Sequence, residues 1–294
     1  MKKNTLKFRY HPEKALGILY VCLASVTFGA LPSLQTLILR TGVSPISLIG
    51  LVYCIVAILA LTISVSRKKS LALTRSQLLQ LTIMGAGGMG ATSLLMYTAY
   101  TLIPSGTAMM LHFLFPTNVC IFMAIVYREQ FTWRKGLAII GSICGLACIS
   151  LSGDSVSGKG IILAACSSLT YAGYFIMNEK GCVHDLPQSV KLLYISIAIA
   201  TIYLMCAMAA NATFPTTGGH YLLIIADGIA YYFALFCIQT GVQKLGATSA
   251  SFINILEPVT SVLLSALLFS TRLGINTVLG SVLILCSIIF ASIG

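Results

Sequence analysis

The stretch "GATSASFINILEPVTSVLLSALLF", residues 246–269, decides the fold because it places a carboxylate, Glu257, inside a segment as apolar as a membrane span. It aligns without gaps with "PSGTAMMLHFLFPTNVCIFMAIVY", residues 104–127, at an offset of 142. This alignment places Pro258 on Pro116. The proline therefore belongs to a feature that the chain contains twice.

A second pair of segments repeats at almost the same distance. "LGILYVCLASVTFGA", residues 16–30, aligns with "KGIILAACSSLTYAG", residues 159–173, at an offset of 143, and Gly17 meets Gly160. Two pairs at nearly one offset predict that the chain is an internal duplication.

The composition predicts a membrane protein. Of the 294 residues, 57% are hydrophobic and only 9% are charged, whereas a soluble domain carries about 25% charged residues. A helix that crosses a bilayer needs about 20 predominantly apolar residues. Ten such segments follow one another, at residues 15–38, 45–66, 77–101, 105–127, 134–152, 158–179, 189–210, 219–242, 247–269 and 274–293.

The duplication divides these spans into two sets of five. Residues 1–14 are predicted to form a cytoplasmic N-terminal segment, residues 15–152 the first repeat, residues 153–157 a linker, and residues 158–294 the second repeat. Five is an odd number, so the second repeat enters the membrane in the opposite direction. We therefore predict an all-α membrane protein of ten transmembrane helices in two inverted five-helix repeats, an arrangement typical of secondary transporters.

The basic residues predict the orientation. The formal net charge is +11, and all but three of the 18 lysines and arginines fall in segments that share one side of the predicted topology. The exceptions are Arg40, Lys159 and Arg272. Because positive charge accumulates on the cytoplasmic side of membrane proteins, both termini are expected in the cytoplasm. The positive charge thus indicates topology, and we expect no nucleic-acid partner.

Among the ionisable side chains, three stand out deep within predicted spans, namely His112, Asp227 and Glu257. A charged group at the centre of a bilayer costs about 2.5–3.5 kcal/mol on insertion scales, so such residues are candidates for function. The repeat aligns Glu257 with Phe115 and His112 with Asn254. Because the carboxylates occur in the second half alone, we expect a chemically asymmetric site.

Helical spacing extends this set to other polar and aromatic residues. Residues that recur three or four positions apart lie on one face of a helix, and polar faces are expected to line a cavity rather than to contact lipid. The predicted substrate-binding or cavity residues are Glu257, Asn254, His112, Tyr171, Tyr174, Asn178, Tyr231, Asp227, Phe28, Tyr97 and Ser261.

Structural roles are alternatives for the ionisable residues. Glu257 precedes a proline, and its carboxylate could bond the backbone groups that Pro258 leaves free. Asp227 could be hydrated near the outer third of its span, and His112 could be satisfied between helices. No metal-ligand spacing and no nucleotide-binding sequence is present, so we predict no metal, no cofactor and no catalytic residue.

Several segments occur in matching order in the two halves: "ASVTFGA" and "SSLTYAG" in the first span of each half, "YTLIPSGTA" and "VQKLGATSA" before the fourth and ninth spans, and the two proline segments that follow. Together they resemble the EamA-type branch of the drug/metabolite transporter superfamily. The resemblance implies two EamA repeats, transport of metabolites, and cytoplasmic termini in the plasma or inner membrane.

We therefore expect a secondary transporter, not an enzyme, that exports small metabolites such as amino acids or related amphipathic solutes by alternating access. Its partners would be the solute, the lipid bilayer and, in a coupled version, protons, and it would be a monomer or weak dimer. One alternative is a multidrug or quaternary-cation transporter. Another is a polytopic membrane enzyme or lipid-handling protein, for which the nearest catalytic cluster is Glu179, His184 and Asp185.

Overall fold

The computed structural model describes residues 12–130, 132–150, 157–254, 256–269 and 274–292. The regular structure of this part of the chain is helical. The elements in order are α1 (Pro12–Arg40), α2 (Pro45–Ser66), α3 (Arg75–Ile83), a π-helix (Met84–Gly90), α4 (Ala91–Tyr100), α5 (Ser105–His112), α6 (Phe115–Val126), α7 (Trp133–Ser150), α8 (Gly158–Lys180), α9 (Gln188–Ala209), α10 (Gly218–Leu245), α11 (Ala247–Ile253), α12 (Leu256–Phe269) and α13 (Ile275–Ser292).

Helices long and apolar enough to cross a bilayer recur along the described chain, so the protein is a multi-pass membrane protein. Each of them coincides with a predicted span. The other three predicted spans, 134–152, 247–269 and 274–293, contain helices but also include residues outside the described part. The spanning helices are Glu13–Arg40, Pro45–Ser66, Arg75–Tyr100, Thr107–Val126, Gly158–Lys180, Gln188–Ala209 and Gly218–Leu245.

The distribution of side chains suits a lipid environment. Large apolar residues such as Ile125 and Leu267 are exposed on the outer surface, at 73% and 77%. Polar residues such as Asp227 and Lys191 are completely buried. Because lipid cannot hydrogen-bond to polar groups, they are placed between the helices.

Contacts between connections define two faces of the helix bundle. Thr213 Oγ1 donates a hydrogen bond to the Gly42 carbonyl at 2.6 Å, so the α1–α2 and α9–α10 connections share what we call the first face. Gln243 Nε2 donates to the His184 carbonyl at 2.9 Å, so the end of α10 and the α8–α9 connection share the opposite, second face. The helices between them run from one face to the other.

Positively charged residues concentrate at the second face. This distribution is the one that the sequence predicted, although which face meets the cytoplasm stays a prediction. The second face carries Lys14, Arg67, Lys68, Lys69, Arg75, Arg128, Arg134, Lys180 and Lys244, whereas Arg40 and Lys159 are at the first face.

The helices pack in a pattern that relates the two halves. α1 packs against α10 and α12, which belong to the second half, and α8 packs against α4, α5 and α6, which belong to the first. α2 packs on α9, and α7 packs on α13. The first helix of each half thus lies among the later helices of the other half.

Two predicted spans are interrupted where the repeat places its prolines. α5 ends at His112 and α6 begins at Phe115, and α11 ends at Ile253 before α12 begins at Leu256. Proline has no N–H to continue the hydrogen-bond ladder and clashes with the carbonyl four residues earlier. The break before Pro116 therefore follows from the sequence, and so does the corresponding break before Pro258 in the second half.

Candidate functional site

A cavity lies between the two halves. Its empty space is about 400 Å³, counting the part that opens outward. The residues that line it are Phe28, Leu31, Pro32, Gln35, Met89, Thr92, Ser93, Met96, Tyr97, Tyr100, Met109, His112, Tyr171, Tyr231 and Glu257.

The lining comes from the middle of the helices and from their parts nearer the first face. The α1 residues extend from Phe28, near the middle of that helix, to Gln35. The α4 residues extend to Tyr100, at the end of α4. Toward the second face the same helices are in direct side-chain contact, so the cavity occupies the half of the bundle nearer the first face.

Glu257 lies at the break between α11 and α12. Its carboxylate accepts a hydrogen bond from the side-chain amide of Asn254, one turn earlier. The Asn254 carbonyl oxygen in turn accepts from the Ser25 hydroxyl of α1 at 2.5 Å. Glu257 is therefore joined to α1 through Asn254, while it also lines the cavity. This side-chain partner differs from the backbone groups that the structural alternative for Glu257 would use.

His112 occupies the equivalent break in the first half. The Ser167 hydroxyl lies 2.6 Å from the Ala164 carbonyl, to which it can donate. Ser167 Oγ also lies 2.7 Å from His112 Nδ1, and which of the two donates this hydrogen bond depends on the tautomer of the imidazole.

Aromatic rings surround both breaks. The His112 ring centroid is 4.9 Å from that of Tyr171, and Phe115 is 4.8 Å from the same tyrosine. On the other wall, Tyr231 lies 5.6 Å from Phe28 and 5.4 Å from Tyr53, both edge to face. These rings give the cavity several π-faces beside one carboxylate.

Hydroxyl groups add polar points to this wall. The Tyr231 hydroxyl lies 3.2 Å from Ser93 Oγ and 3.4 Å from the Tyr53 hydroxyl. The Tyr97 hydroxyl is buried and has no hydrogen-bond partner among the described residues. A buried hydroxyl without a partner is costly, so Tyr97 is available to a bound solute.

Asp227 lies immediately behind the cavity wall. It is completely buried in α10, and its Oδ1 accepts from Gln35 Nε2 at 3.2 Å. Gln35 itself lines the cavity. Asp227 Oδ2 has no partner within the described part of the chain. Asp227 thus acts on the cavity through Gln35 rather than by lining it.

The remaining predicted residues lie outside the lining. Tyr174 accepts a hydrogen bond of 2.6 Å from Gln239 Nε2, and Asn178 accepts one of 2.9 Å from Lys191 Nζ. Ser261 is buried where α12 meets Gly29 of α1. Of the predicted residues, six line the cavity, namely Phe28, Tyr97, His112, Tyr171, Tyr231 and Glu257. The other five, Asn254, Tyr174, Asn178, Asp227 and Ser261, are not among its lining residues.

Some lining residues were absent from the predicted set. Met89, Met96 and Tyr100 follow the spacing of Ser93 and Tyr97 on one helical face, so the same periodicity could have found them. Met109 and the α1 residues Leu31 and Pro32 are apolar, and nothing in the sequence distinguishes them from packing residues.

A model of the EamA-like transporter family matches the chain twice, over residues 15–151 and residues 158–293. The chain belongs to the EamA-like transporter family. The two matches correspond to the two halves between which the cavity lies. The family and the curated relative below are described as transporters, not as enzymes.

Two individual proteins are similar to this EamA-like family member. The "Uncharacterized inner membrane transporter YicL" of Salmonella typhimurium strain LT2 is 25% identical over 197 residues, which cover 64% of this chain and 64% of the relative. The aligned part is therefore less than two thirds of the relative's length. A protein of known crystal structure has a TM-score of 0.69 over 96% of this chain and 98% of its own, at 19% identity, which shows the fold alone.

The three residues considered for catalysis make separate contacts, and only His184 and Asp185 lie in a loop, because Glu179 belongs to α8. The Glu179 carboxylate accepts from the backbone N–H of Ala247 and forms an ion pair of 2.7 Å with Lys180. Asp185 is fully exposed and lies 3.9 Å from His184. Glu179 thus serves to hold α11 against α8 in this member of the EamA-like transporter family.

Proposed function

We propose that this protein is a secondary transporter that exports small metabolites, such as amino acids or related amphipathic solutes, by alternating access. The observation that carries the proposal is the cavity between the two halves, with the carboxylate of Glu257 in its wall. An ionisable group deep in a membrane protein that faces a cavity is typical of a transport pathway.

The architecture supports ten spans in two inverted repeats. His112 precedes the break in α5–α6 and bonds Ser167 of α8, and Asn254 precedes the break in α11–α12 and bonds Ser25 of α1. Each broken helix is thus held by a serine on the first helix of the other half. We place the linker between the two repeats at residues 153–157. Residues 153–156 and most of residues 1–14 lie outside the described part.

The cavity supports one conformation of an alternating-access cycle. Its lining lies near the first face, which the positive-inside rule places outside the cell. Contacts close the second face: the Glu179 carboxylate bonds the N–H of Ala247, and Thr248 Oγ1 donates to Glu129 at 3.3 Å. In the second conformation these contacts would separate and the cavity would open to the cytoplasm.

The chemistry of the wall favours a solute with a positive group and an apolar part. Glu257 can pair with an ammonium group, and the faces of Tyr171 and Tyr231 can receive a cation or a ring. Gln35 and Thr92 can exchange hydrogen bonds with a solute's polar groups. A zwitterionic amino acid satisfies these contacts. A quaternary cation is the second candidate because it would need only the carboxylate and the rings.

The hydrogen bonds of Glu257 offer a means of proton coupling. The Ser25 hydroxyl has one proton but two acceptors, the Asn254 side chain at 2.5 Å and the Val21 carbonyl at 2.7 Å. If Glu257 is ionised, the Asn254 amide donates to it and accepts from Ser25. If Glu257 is protonated, it donates to the amide oxygen, the amide donates to Ser25 and Ser25 donates to Val21. A proton on α12 would thereby reverse the hydrogen bonds that reach α1.

The test is uptake by proteoliposomes of amino acids, organic cations and nucleosides, with and without an imposed pH gradient. Glu257→Gln is expected to impair transport, while Glu129→Gln, which changes a carboxylate near the second face, is expected to impair it less. Absence of uptake by the wild type for every solute would refute the proposal. Uptake that ignores the pH gradient would refute proton coupling alone.

A further inference from the structure

Lys191 lies where a lysine is unusual. It is the fourth residue of α9 and is completely buried, although the sequence suggested a charge at the edge of the membrane. Lysine is almost never fully buried unless its ammonium group is paired. The contacts of Lys191 therefore decide what this residue does.

The ammonium group is bound only to neutral acceptors. Lys191 Nζ donates to Asn178 Oδ1 at 2.9 Å and to the His184 carbonyl at 3.4 Å. No carboxylate of the described residues lies within 4.0 Å of it. An ammonium has three donors, so one of its N–H groups has no hydrogen-bond partner among the described residues. The carboxylate that acts on its charge, Asp185, lies beyond ion-pair distance.

A second unpartnered donor lies beside it. Since the lysine can only donate, its contact fixes which end of the Asn178 amide is the oxygen. The other end, Nδ2, is buried and has no hydrogen-bond partner among the described residues. Asn178 is completely buried. Two neighbouring donors, one of them charged, are the groups that bind the two oxygens of a carboxylate.

A polar stripe joins this position to the cavity. On α8, Tyr171 lines the cavity and Asn178 follows seven residues later, which is about 10 Å along the helix. Between them Tyr174 bonds Gln239 of α10. One turn beyond, Gln243 bonds both Gln188 and the His184 carbonyl. The stripe runs from the floor of the cavity to the second face.

We propose that the Lys191 ammonium and the Asn178 amide form a second subsite, which binds the carboxylate of the transported solute in the half of the pathway nearer the second face. This inference rests on the proposed function, because it requires a solute that crosses between the faces. When the second face opens, the contacts of Tyr174 with Gln239 separate and the solute reaches Lys191.

The two subsites act in succession. Asn178 lies about 10 Å along α8 from Tyr171 of the cavity wall, which is farther than the separation of the ammonium and carboxylate groups of one α-amino acid. Glu257 holds the ammonium group in the cavity, and Lys191 holds the carboxylate group nearer the second face. Glu257 thus attracts the ammonium group of the zwitterion, and Lys191 attracts its carboxylate group at a different stage of its passage.

The experiment compares solutes that differ by a carboxylate. Proteoliposomes are tested with L-arginine against agmatine and with L-tyrosine against tyramine, and uptake by protein-free vesicles is subtracted. The readout is the ratio of initial rates, amino acid to amine. Lys191→Met is expected to lower this ratio by about tenfold or more, the loss that follows from removing a charge-assisted hydrogen bond. Lys69→Met, an exposed lysine in the α2–α3 connection, is the matched control and is expected to leave the ratio unchanged.

A second variant covers the case in which Lys191→Met does not fold, judged by size-exclusion chromatography and thermal unfolding. Asn178→Asp places a carboxylate against the ammonium group, so it should preserve the fold while it competes with the solute and lowers the same ratio. An unchanged ratio in either folded variant overturns the subsite. A wild type that carries none of the four solutes overturns the proposed amino-acid function, and the subsite with it.

Discussion

Gly29→Ala tests the close contact between α1 and α12 beside the cavity. A Cβ atom at Gly29 would lie 2.5 Å from the Glu257 carbonyl oxygen and 2.6 Å from Thr260 Cβ. Ordinary contact begins at 3.4 Å, so α1 and α12 must separate by about 0.9 Å. One of the obstructing atoms is backbone and cannot rotate away.

The magnitude follows from a matched comparison with Gly173→Ala. Gly173 is on α8, and a Cβ atom there would meet nothing within 4 Å. Both substitutions gain about 1 kcal/mol of helix propensity, so this gain cancels in their difference. Overpacking costs about 1–3 kcal/mol, and we expect Gly29→Ala to be less stable than Gly173→Ala by that amount.

The assay is thermal unfolding of both purified variants, followed by circular dichroism, together with uptake by proteoliposomes. Gly29→Ala should unfold at the lower temperature, and Gly173→Ala should match or exceed the wild type. Because α1 carries Ser25, the separation should also weaken its bond to Asn254 and reduce transport. Equal unfolding temperatures for the two variants would refute the close approach at Gly29.

Three further predictions concern the contacts of the two faces. Ser25→Ala removes the link from α1 to Asn254, and uptake driven by a pH gradient should fall more than uptake without one; equal losses would contradict the hydrogen-bond reversal. Glu179→Ala removes the acceptor of the Ala247 N–H, which joins α8 to α11, so a maleimide added from the second face should react faster with Tyr171→Cys than it does in the parent. A variant that keeps Cys182 as its single cysteine should not react with an impermeant maleimide in whole cells, whereas Thr213→Cys in a cysteine-free variant should react. The reverse result would invert the predicted orientation.

Helical periodicity predicted which residues share one face of a helix better than it predicted how far along the helix the cavity extends. Tyr171, Tyr174 and Asn178 share one face of α8, as their spacing required, yet only Tyr171 lines the cavity. The other two contact Gln239 and Lys191. A stripe on one helix specifies a direction, whereas the length of a cavity depends on where helices from the other half close against it. That information is tertiary and is absent from the spacing.

The burial of Lys191 illustrates a different limit. A lysine near the beginning of a predicted span was counted with the charges of the adjoining loop, because lysine side chains usually extend to the interface. Here the side chain is directed into the bundle and meets Asn178 and the His184 carbonyl. Only the arrangement of α8 and α9 makes those acceptors available, so the sequence could not distinguish the two orientations.

The two broken helices explain why the duplicated scaffold holds an asymmetric site. Both halves contain the break, and in both a residue before it bonds a serine of the opposite half. After the break the first half has Phe115, which is fully buried against Tyr171 and Phe175. The second half has Glu257, which lines the cavity and accepts a hydrogen bond from the Asn254 side chain. The first break is therefore surrounded by apolar packing, whereas in the proposed transport cycle the second would change its contacts with a proton or a cationic solute. Movement driven by binding should consequently begin at α12 and α1, and the aromatic cluster around Phe115 should act as the fixed support against which they move.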